Sequence, residues 1–308
     1  MLNKFFDFLK NKEKFSQEDI DGMRAEIELL RSERDTLKQQ LAALTGQSRL
    51  IPKEEEELIP PDEILSRVNI GKGDFRLIGN EFMQLFTGLA GLKPDETILD
   101  VGCGIGRMAA ALTKYMDARG RYEGFDIVEE SVNWCSNNIT SRYPNFRFQR
   151  ANVYNKVYDP EGKYPASEYK FPYEDRQFDF VFLTSVFTHM LPEDMDNYMS
   201  EISRVIKRNG RCFVTFFLLN SESLALIKSR ASTVDFRHEF AEAKAGSIRR
   251  YVTSNQEFPE ETVAYNESDI RSLFRKHGLQ IIEPLRFGSW CGRKIFITYQ
   301  DIIMSYKR

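Results

Sequence analysis

The run Ile98-Leu99-Asp100-Val101-Gly102-Cys103-Gly104-Ile105-Gly106-Arg107 constrains the fold more than any other part of the chain. An apolar strand enters three glycines spaced Gly-x-Gly-x-Gly, and a helix over Arg107–Leu112 follows. Glycines permit a tight strand-to-helix turn and let a ligand lie against bare backbone. A dinucleotide-binding turn has the spacing Gly-x-Gly-x-x-Gly and seats a pyrophosphate on the helix N-terminus. Here the spacing is shorter, and Asp100 stands two residues before the first glycine. A carboxylate at that point repels a pyrophosphate and suits a ligand with positive charge. No Gly-Lys-Ser/Thr is present, which excludes a Walker loop.

Around this loop, strands alternate with helices. The spacing predicts strands over Thr97–Val101, Arg121–Asp126, Phe146–Gln149, Phe178–Leu183 and Arg211–Phe217. Helices are expected near Met108–Met116, Val132–Ser141 and Asp194–Lys207. Such alternation implies a parallel sheet covered on both faces. Upstream, Phe75, Ile78, Phe82, Leu85 and Leu89 share one helical face, and a helix around Asp269–His277 with two further strands closes the chain. The second predicted strand ends in Gly124-Phe125-Asp126-Ile127, where Asp126 lies about 20 residues past the loop and can accept both hydroxyls of a ribose. After the third, Ala151-Asn152-Val153 offers an amide and an apolar side chain to read and cover an adenine edge.

From about Ile98 to Phe217 the chain resembles the class I S-adenosylmethionine-dependent methyltransferases. Asp100-Val101-Gly102-Cys103-Gly104-Ile105-Gly106 is similar to their first motif, and Asp126 matches the acid that binds the cofactor ribose. The resemblance implies an α/β fold: a Rossmann-like seven-stranded methyltransferase sheet with its last strand antiparallel. It implies S-adenosyl-L-methionine as cofactor, with Asp100 and the loop backbone holding its methionine part. The candidate cofactor-binding set is Asp100, Gly102, Cys103, Gly104, Gly106, Asp126, Ile127, Asn152, Val153 and Thr184.

The fourth strand leads into Thr184-Ser185-Val186-Phe187-Thr188-His189-Met190-Leu191-Pro192. In doubly wound sheets ligands bind beyond the carboxyl ends of strands, which places His189 near the transferred methyl group. Methyl transfer to a hydroxyl needs alignment and removal of one proton, and a histidine with an ordinary pKa near 6.5 suits that at neutral pH. Packing under the cofactor is the alternative role for His189. Relatives that methylate adenine amino groups carry an Asn/Asp-Pro-Pro-aromatic run here, which Leu183-Thr184-Ser185-Val186 lacks. With a net charge of −3, this argues against a nucleic-acid partner.

Residues 219–265 depart most from the core pattern and carry Arg237-His238-Glu239, Arg249-Arg250-Tyr251 and Phe258-Pro259-Glu260. In the class that it resembles, such an insertion forms a lid over the acceptor; a surface loop is the plainer reading. Near the end, Gln300 and Asp301 interrupt an apolar strand through Phe296–Ile303, and a buried carboxylate is costly unless paired or used. Alternation places Tyr299 and Asp301 on one face, so both join His189 as candidate catalytic residues. Gly288-Ser289-Trp290-Cys291-Gly292-Arg293 and Tyr299-Gln300-Asp301 are similar to segments of bacterial methyltransferases of surface polysaccharide or glycolipid assembly. That similarity implies a sugar or glycan hydroxyl as acceptor, with Trp290, Tyr299 and Tyr251 as stacking faces. Methylation of another small molecule at oxygen or nitrogen is the first alternative. A catalytically silent domain behind a coiled coil is the second.

The chain opens with an amphipathic segment, residues 1–15, for which contact with a membrane surface is one reading and a frayed or docked terminus the other. Over 16–46, Ile20, Met23, Ile27, Leu30, Leu37, Leu41 and Leu44 recur at steps of three and four. Asp19, Glu26 and Glu33 fall at g positions and Arg24, Arg31 and Lys38 at e, the pattern of a parallel two-stranded coiled coil and hence of a homodimer. Residues 47–65 read as an acidic, proline-containing linker, and 66–308 as the methyltransferase domain. Four scattered cysteines read as free thiols, and no Cys/His cluster suggests a metal. With no secretion signal and no stretch long enough to span a bilayer, a cytoplasmic location is expected, the inner membrane face being the alternative.

Overall fold

The computed structural model describes residues 58–68, 73–241 and 250–308. The expectations for residues 1–15, for the coiled coil over 16–46, for most of the 47–65 linker, and for Arg249 lie outside the described residues. One unit of the chain runs from Ile59 to Arg308.

That unit opens with helix α1, Asp62–Arg67, across the end of the span read as linker. Pro61 sets its start, Asp62 and Glu63 complement the positive end of its dipole, and Arg67 pairs with Glu130 at 2.5 Å. Helix α2 follows, Phe75–Gly88, capped by the Asp74 carboxylate accepting from the Leu77 N–H at 2.8 Å. Then come β1 (Thr97–Val101), α3 (Arg107–Leu112), β2 (Arg121–Asp126), α4 (Glu129–Cys135) and β3 (Phe146–Arg150). The second half holds β4 (Phe178–Leu183), α5 (Pro192–Val205), β5 (Ile206–Phe216), β6 (Leu218–Leu219) and α6 (Ser221–Lys228). It ends with β7 (His238–Ala241), β8 (Arg250–Thr253), β9 (Val263–Asn266), α7 (Glu267–Lys276), β10 (Leu279–Ile281) and β11 (Asp301–Lys307).

Seven strands form one sheet in the order β10-β11-β5-β4-β1-β2-β3. β1 pairs in parallel with β2 and β4, β2 with β3, and β4 with β5. β11 is antiparallel to both its neighbours, as expected for the last strand. Alternation along the central strands divides the core. Phe180, Phe182 and Phe213 face α2, where the Phe86 ring stands 5.3, 4.4 and 5.0 Å from theirs. Val181, Leu183 and Val214 pack in the second cluster with Met199 and Ile202 of α5 and Phe274 of α7. Full burial of one such side chain contributes about 2–3 kcal/mol. Gly79 allows α2 to cross α3 closely, because a Cβ there would meet the Arg107 carbonyl oxygen at 2.6 Å.

Three expectations need correction. β5 begins at Ile206, directly after α5, and not at Arg211. Asn209-Gly210 reads as a break, but Asn209 takes a left-handed φ of 62° and a bulge absorbs it while Phe178 still pairs with Ile206. Residues 219–265 are not a loop. They hold α6 and most of a second sheet, β6-β9-β8-β7, in which β6 and β9 pair in parallel through Leu218–Tyr265 and Leu219–Asn266. Finally, β11 begins only at Asp301. Residues 296–300 lie in the connection from β10, held by bonds such as Ser289 N–H to Thr298 O and Trp290 N–H to Tyr299 O. Among the described residues no helix is long and apolar enough to cross a membrane.

Candidate active site

β1 ends at Val101 and the chain turns through Gly102, Gly104 and Gly106 with φ of 78°, 51° and 78°. The turn is wired to the end of β2. The Gly102 and Cys103 N–H groups donate to the Phe125 carbonyl at 2.9 and 3.0 Å. The Gly104 N–H donates to Asp126 Oδ2 at 2.7 Å, and the Val128 N–H to Asp126 Oδ1 at 2.9 Å. Asp126 therefore shapes the loop as well as standing at its rim. It is half-buried, and burial raises its pKa against the pull of those N–H donors.

Asp100 is sealed at the strand end. One of its oxygens accepts from the Tyr122 hydroxyl, and the other, Oδ1, is buried with no partner. Burial pushes its pKa up to about 8; the Tyr122 bond pulls it down, and the negative charge of Asp126 adds to the rise. A positive charge brought to this pocket would draw the proton off and fill the vacant oxygen's need. The space is there as well. A Cβ built on Gly102 would strike Val186, and one on Gly106 would strike Cys135 and Ile139, but one on Gly104 meets nothing within 4 Å. Gly104 thus faces open space beside Asp126, whose carboxylate its N–H bonds. A sulfonium nucleoside fits those residues: a cation for Asp100, ribose hydroxyls for Asp126, and close approach over Gly104.

Other expected cofactor contacts are placed less simply. Cys103 is buried in the loop, Ile127 and Thr184 are half-buried at the ends of β2 and β4, and Gly102 closes onto Val186. Asn152 is exposed, with Oδ1 accepting from the Lys163 N–H at 2.8 Å. Val153 is only 3% exposed and packs in the core, so it presents no free surface to an adenine.

On the acceptor side, His189 ends a short 3₁₀ turn after β4. Its Nδ1 lies 3.2 Å from the Glu260 carbonyl oxygen, at the turn that precedes β9. A carbonyl oxygen can only accept, so Nδ1 carries the proton and Nε2 is the basic nitrogen. Burial lowers the His189 pKa. Asp301 does not reach toward an acceptor. It is 0% exposed and accepts from Leu218 N and Trp290 Nε1 on one oxygen, each at 2.7 Å, and from Gly288 N at 2.7 Å and Arg293 at 3.1 Å on the other. Tyr299 is exposed, its hydroxyl 3.1 Å from Thr233 Oγ1, and does not share a strand face with Asp301. Trp290 and Tyr251 are buried, Tyr251 stacked on Phe240, so neither offers a sugar a free face. Tyr122 escaped the sequence reading. The expected strand starts at Thr97 and Arg121 do place it beside Ile98, two residues from Asp100 on the same face.

Comparison with known proteins gives the same class. Residues 99–214 match the family described as Methyltransferase domain. The 2-phytyl-1,4-naphtoquinone methyltransferase of Nostoc sp. (strain PCC 7120) is 26% identical over 129 residues, 41% of this chain and 49% of that protein. The chain thus spans about half the length of that curated relative. Among solved structures, the PH0226 protein from Pyrococcus horikoshii OT3 superposes with a TM-score of 0.51 at 16% identity, covering 81% of this chain and 100% of that one. The magnesium protoporphyrin IX methyltransferase from Synechocystis PCC 6803 with bound SAH gives 0.47 at 15%, covering 80% and 94%. The first of these likenesses is one of fold. Together, fold and family match define the class: this chain carries a Rossmann-like methyltransferase domain, and the cofactor of that domain is S-adenosylmethionine.

Replacing Asp126 by alanine is expected to weaken cofactor binding at least tenfold, about 1.4 kcal/mol, because both the ribose acceptor and the Gly104 tether are lost. Calorimetric titration checks this. Unchanged affinity would remove Asp126 from the site.

Proposed function

We propose that this chain transfers the methyl group of S-adenosylmethionine to a hydroxyl oxygen of a sugar or glycan. His189 Nε2 takes the proton. When bound, the cofactor supplies a methyl group on a cationic sulfur, already a good leaving group. The residues of this chain supply the rest. Asp100 and Asp126 hold the donor, and the turn after β4 brings the base to the carboxyl end of the strand beside β1. The observation that carries the hydroxyl reading is the Glu260 carbonyl on His189 Nδ1, which makes Nε2 the unprotonated nitrogen of the neutral ring.

A second reading, an apolar hydroxylated acceptor, is favoured by one observation. Ile295, Phe296 and Tyr299 are 64%, 45% and 45% exposed in the segment leading to β11, at the same end of the sheet as the glycine loop. The relative whose name carries a naphthoquinone, an apolar ring system with carbonyl oxygens, agrees with the apolar part of that reading.

His189→Gln is expected to lower kcat about a hundredfold with cofactor affinity unchanged. In the wild type, kcat should fall on the acid side with a midpoint below 6.5, since burial lowers this pKa and keeps the ring neutral to lower pH. Transfer of labelled methyl to glycosides or to naphthols, followed across pH, checks both. An acid limb that survives in His189→Gln would assign the base elsewhere. Calorimetry separates an enzyme from a silent scaffold, which would give no binding heat with the cofactor.

A further inference from the structure

At the acceptor end of the sheet, three polar side chains form a directed chain of hydrogen bonds. The Ser185 backbone N–H donates to Thr215 Oγ1 at 2.8 Å. That hydroxyl in turn donates to Gln300 Oε1 at 2.6 Å, and Ser185 Oγ donates to the same oxygen at 3.0 Å. The Ser185 N–H takes one lone pair of Thr215 Oγ1 and leaves that hydroxyl's proton for Gln300. Two hydroxyl donors converging on one Gln300 atom assign it as the carbonyl oxygen. With both lone pairs of Oε1 taken, the Nε2–H₂ group points away with two donors. It makes no hydrogen bond to a described residue and is reached by solvent, while Gln300 itself is half-buried.

The frame behind this amide is rigid. Asp301, the next residue, is held by its four donors. On the other side Gly288 runs against the same backbone, where a Cβ would stand 2.3 Å from the Tyr299 oxygen and 2.5 Å from the Gln300 carbonyl carbon. Ser185 keeps a left-handed φ of 61°, a conformation that costs a non-glycine residue about 1–3 kcal/mol and persists where the surroundings demand it. Thr215 lies at the end of β5, Ser185 just past β4, and Gln300 just before β11. The amide therefore sits beyond the carboxyl ends of β4 and β5, beside the turn that carries His189 and one strand from the glycine loop.

We propose that Gln300 Nε2–H₂ is an acceptor-binding donor of this site, and that the acceptor class is a hydroxyl compound with a second oxygen near the one that is methylated. This rests on the methyl-transfer reading above. The attacking oxygen gives its proton to His189 and needs its lone-pair density for the new bond. A fixed donor on that oxygen would draw density away, so the amide serves a neighbouring oxygen. Thr215 and Ser185 are positioning residues that aim the amide.

The test compares paired probes in labelled methyl transfer: methyl α-D-glucopyranoside with its 3-deoxy counterpart, and 1,2-dihydroxynaphthalene with 1-naphthol. For the wild type, at least one two-oxygen probe should accept label with kcat/KM at least tenfold above its partner. In Gln300→Met that ratio should collapse to within about twofold of one, through a raised KM with kcat within threefold. Thr215→Val, which frees the amide to turn, should lose part of the ratio. Cofactor binding heat should be unchanged in both variants. A ratio that persists in Gln300→Met, or a wild type that accepts none of the two-oxygen probes while binding cofactor, overturns the proposal. Absence of cofactor heat in the wild type fails the methyl-transfer reading itself.

Discussion

Gly104→Val is expected to abolish cofactor binding, with affinity falling at least a thousandfold, about 4 kcal/mol. Two effects act together. The φ of 51° places a β-branched residue where L side chains pay about 1–2 kcal/mol. More important, the space ahead of Gly104 is empty to 4 Å, so the new side chain stands in that space itself and excludes the ligand. Since it strikes nothing in the protein, the fold should survive. Thermal unfolding is expected to shift by no more than about 6 °C, from the strain alone. Calorimetry with S-adenosylmethionine, alongside a thermal melt, decides the matter. Retained micromolar binding would move the cofactor away from this loop.

Asp301→Ala is expected to cost about 3–5 kcal/mol of stability and to lower Tm by about 10 °C. The carboxylate gathers Leu218 at the start of the second sheet, Gly288 and Trp290 in the segment before β11, and the Arg293 guanidinium, whose side chain is 3% exposed. Burial pushes the Asp301 pKa up to about 6 even against those four donors, so the charge is carried at neutral pH and needs every one of them. Removing it leaves two backbone N–H groups and an indole N–H buried without their acceptor, while Arg293 Nη1 keeps only the Gly288 carbonyl at 3.2 Å. Glu222 still holds Arg293 at 2.8 Å, which keeps the loss within that range. A melt within 2 °C of the wild type would show that the cluster is dispensable, and activity lost without a change in Tm would return Asp301 to a catalytic role.

Much of the sheet was legible in the sequence. β1, β2 and β4 have the boundaries expected of them: the apolar runs of β1 and β4 stop at Gly102 and Thr184, and Asp126 closes the mixed run of β2. The glycine turn and its tie to Asp126 were legible for the same reason: their parts lie on two neighbouring strands, and the loop carries its own glycine spacing. The acceptor side was not. Ser185, Thr215 and Gln300 are separated by 30 and 85 positions, and no local pattern announces that a threonine near the end of one strand will orient an amide before another. Asp301 was noticed as a charge in an apolar run, yet its meaning depends on donors that only the fold brings together. Trp290 and Tyr251 looked like open aromatic faces because composition cannot tell a core from a platform.

β5 leaves the main sheet at Phe216 and the same chain joins the second sheet at Leu218, while the return crossing is made at Tyr265 and Asn266, directly alongside. Entry and exit are thus stitched together at one point. Everything between them can lengthen, shrink or be exchanged without re-registering a single strand of the cofactor sheet. A graft of residues 220–264 would therefore leave the strand registers of the seven-stranded sheet as they are, while it exchanges the turn whose Glu260 carbonyl lies 3.2 Å from His189 Nδ1.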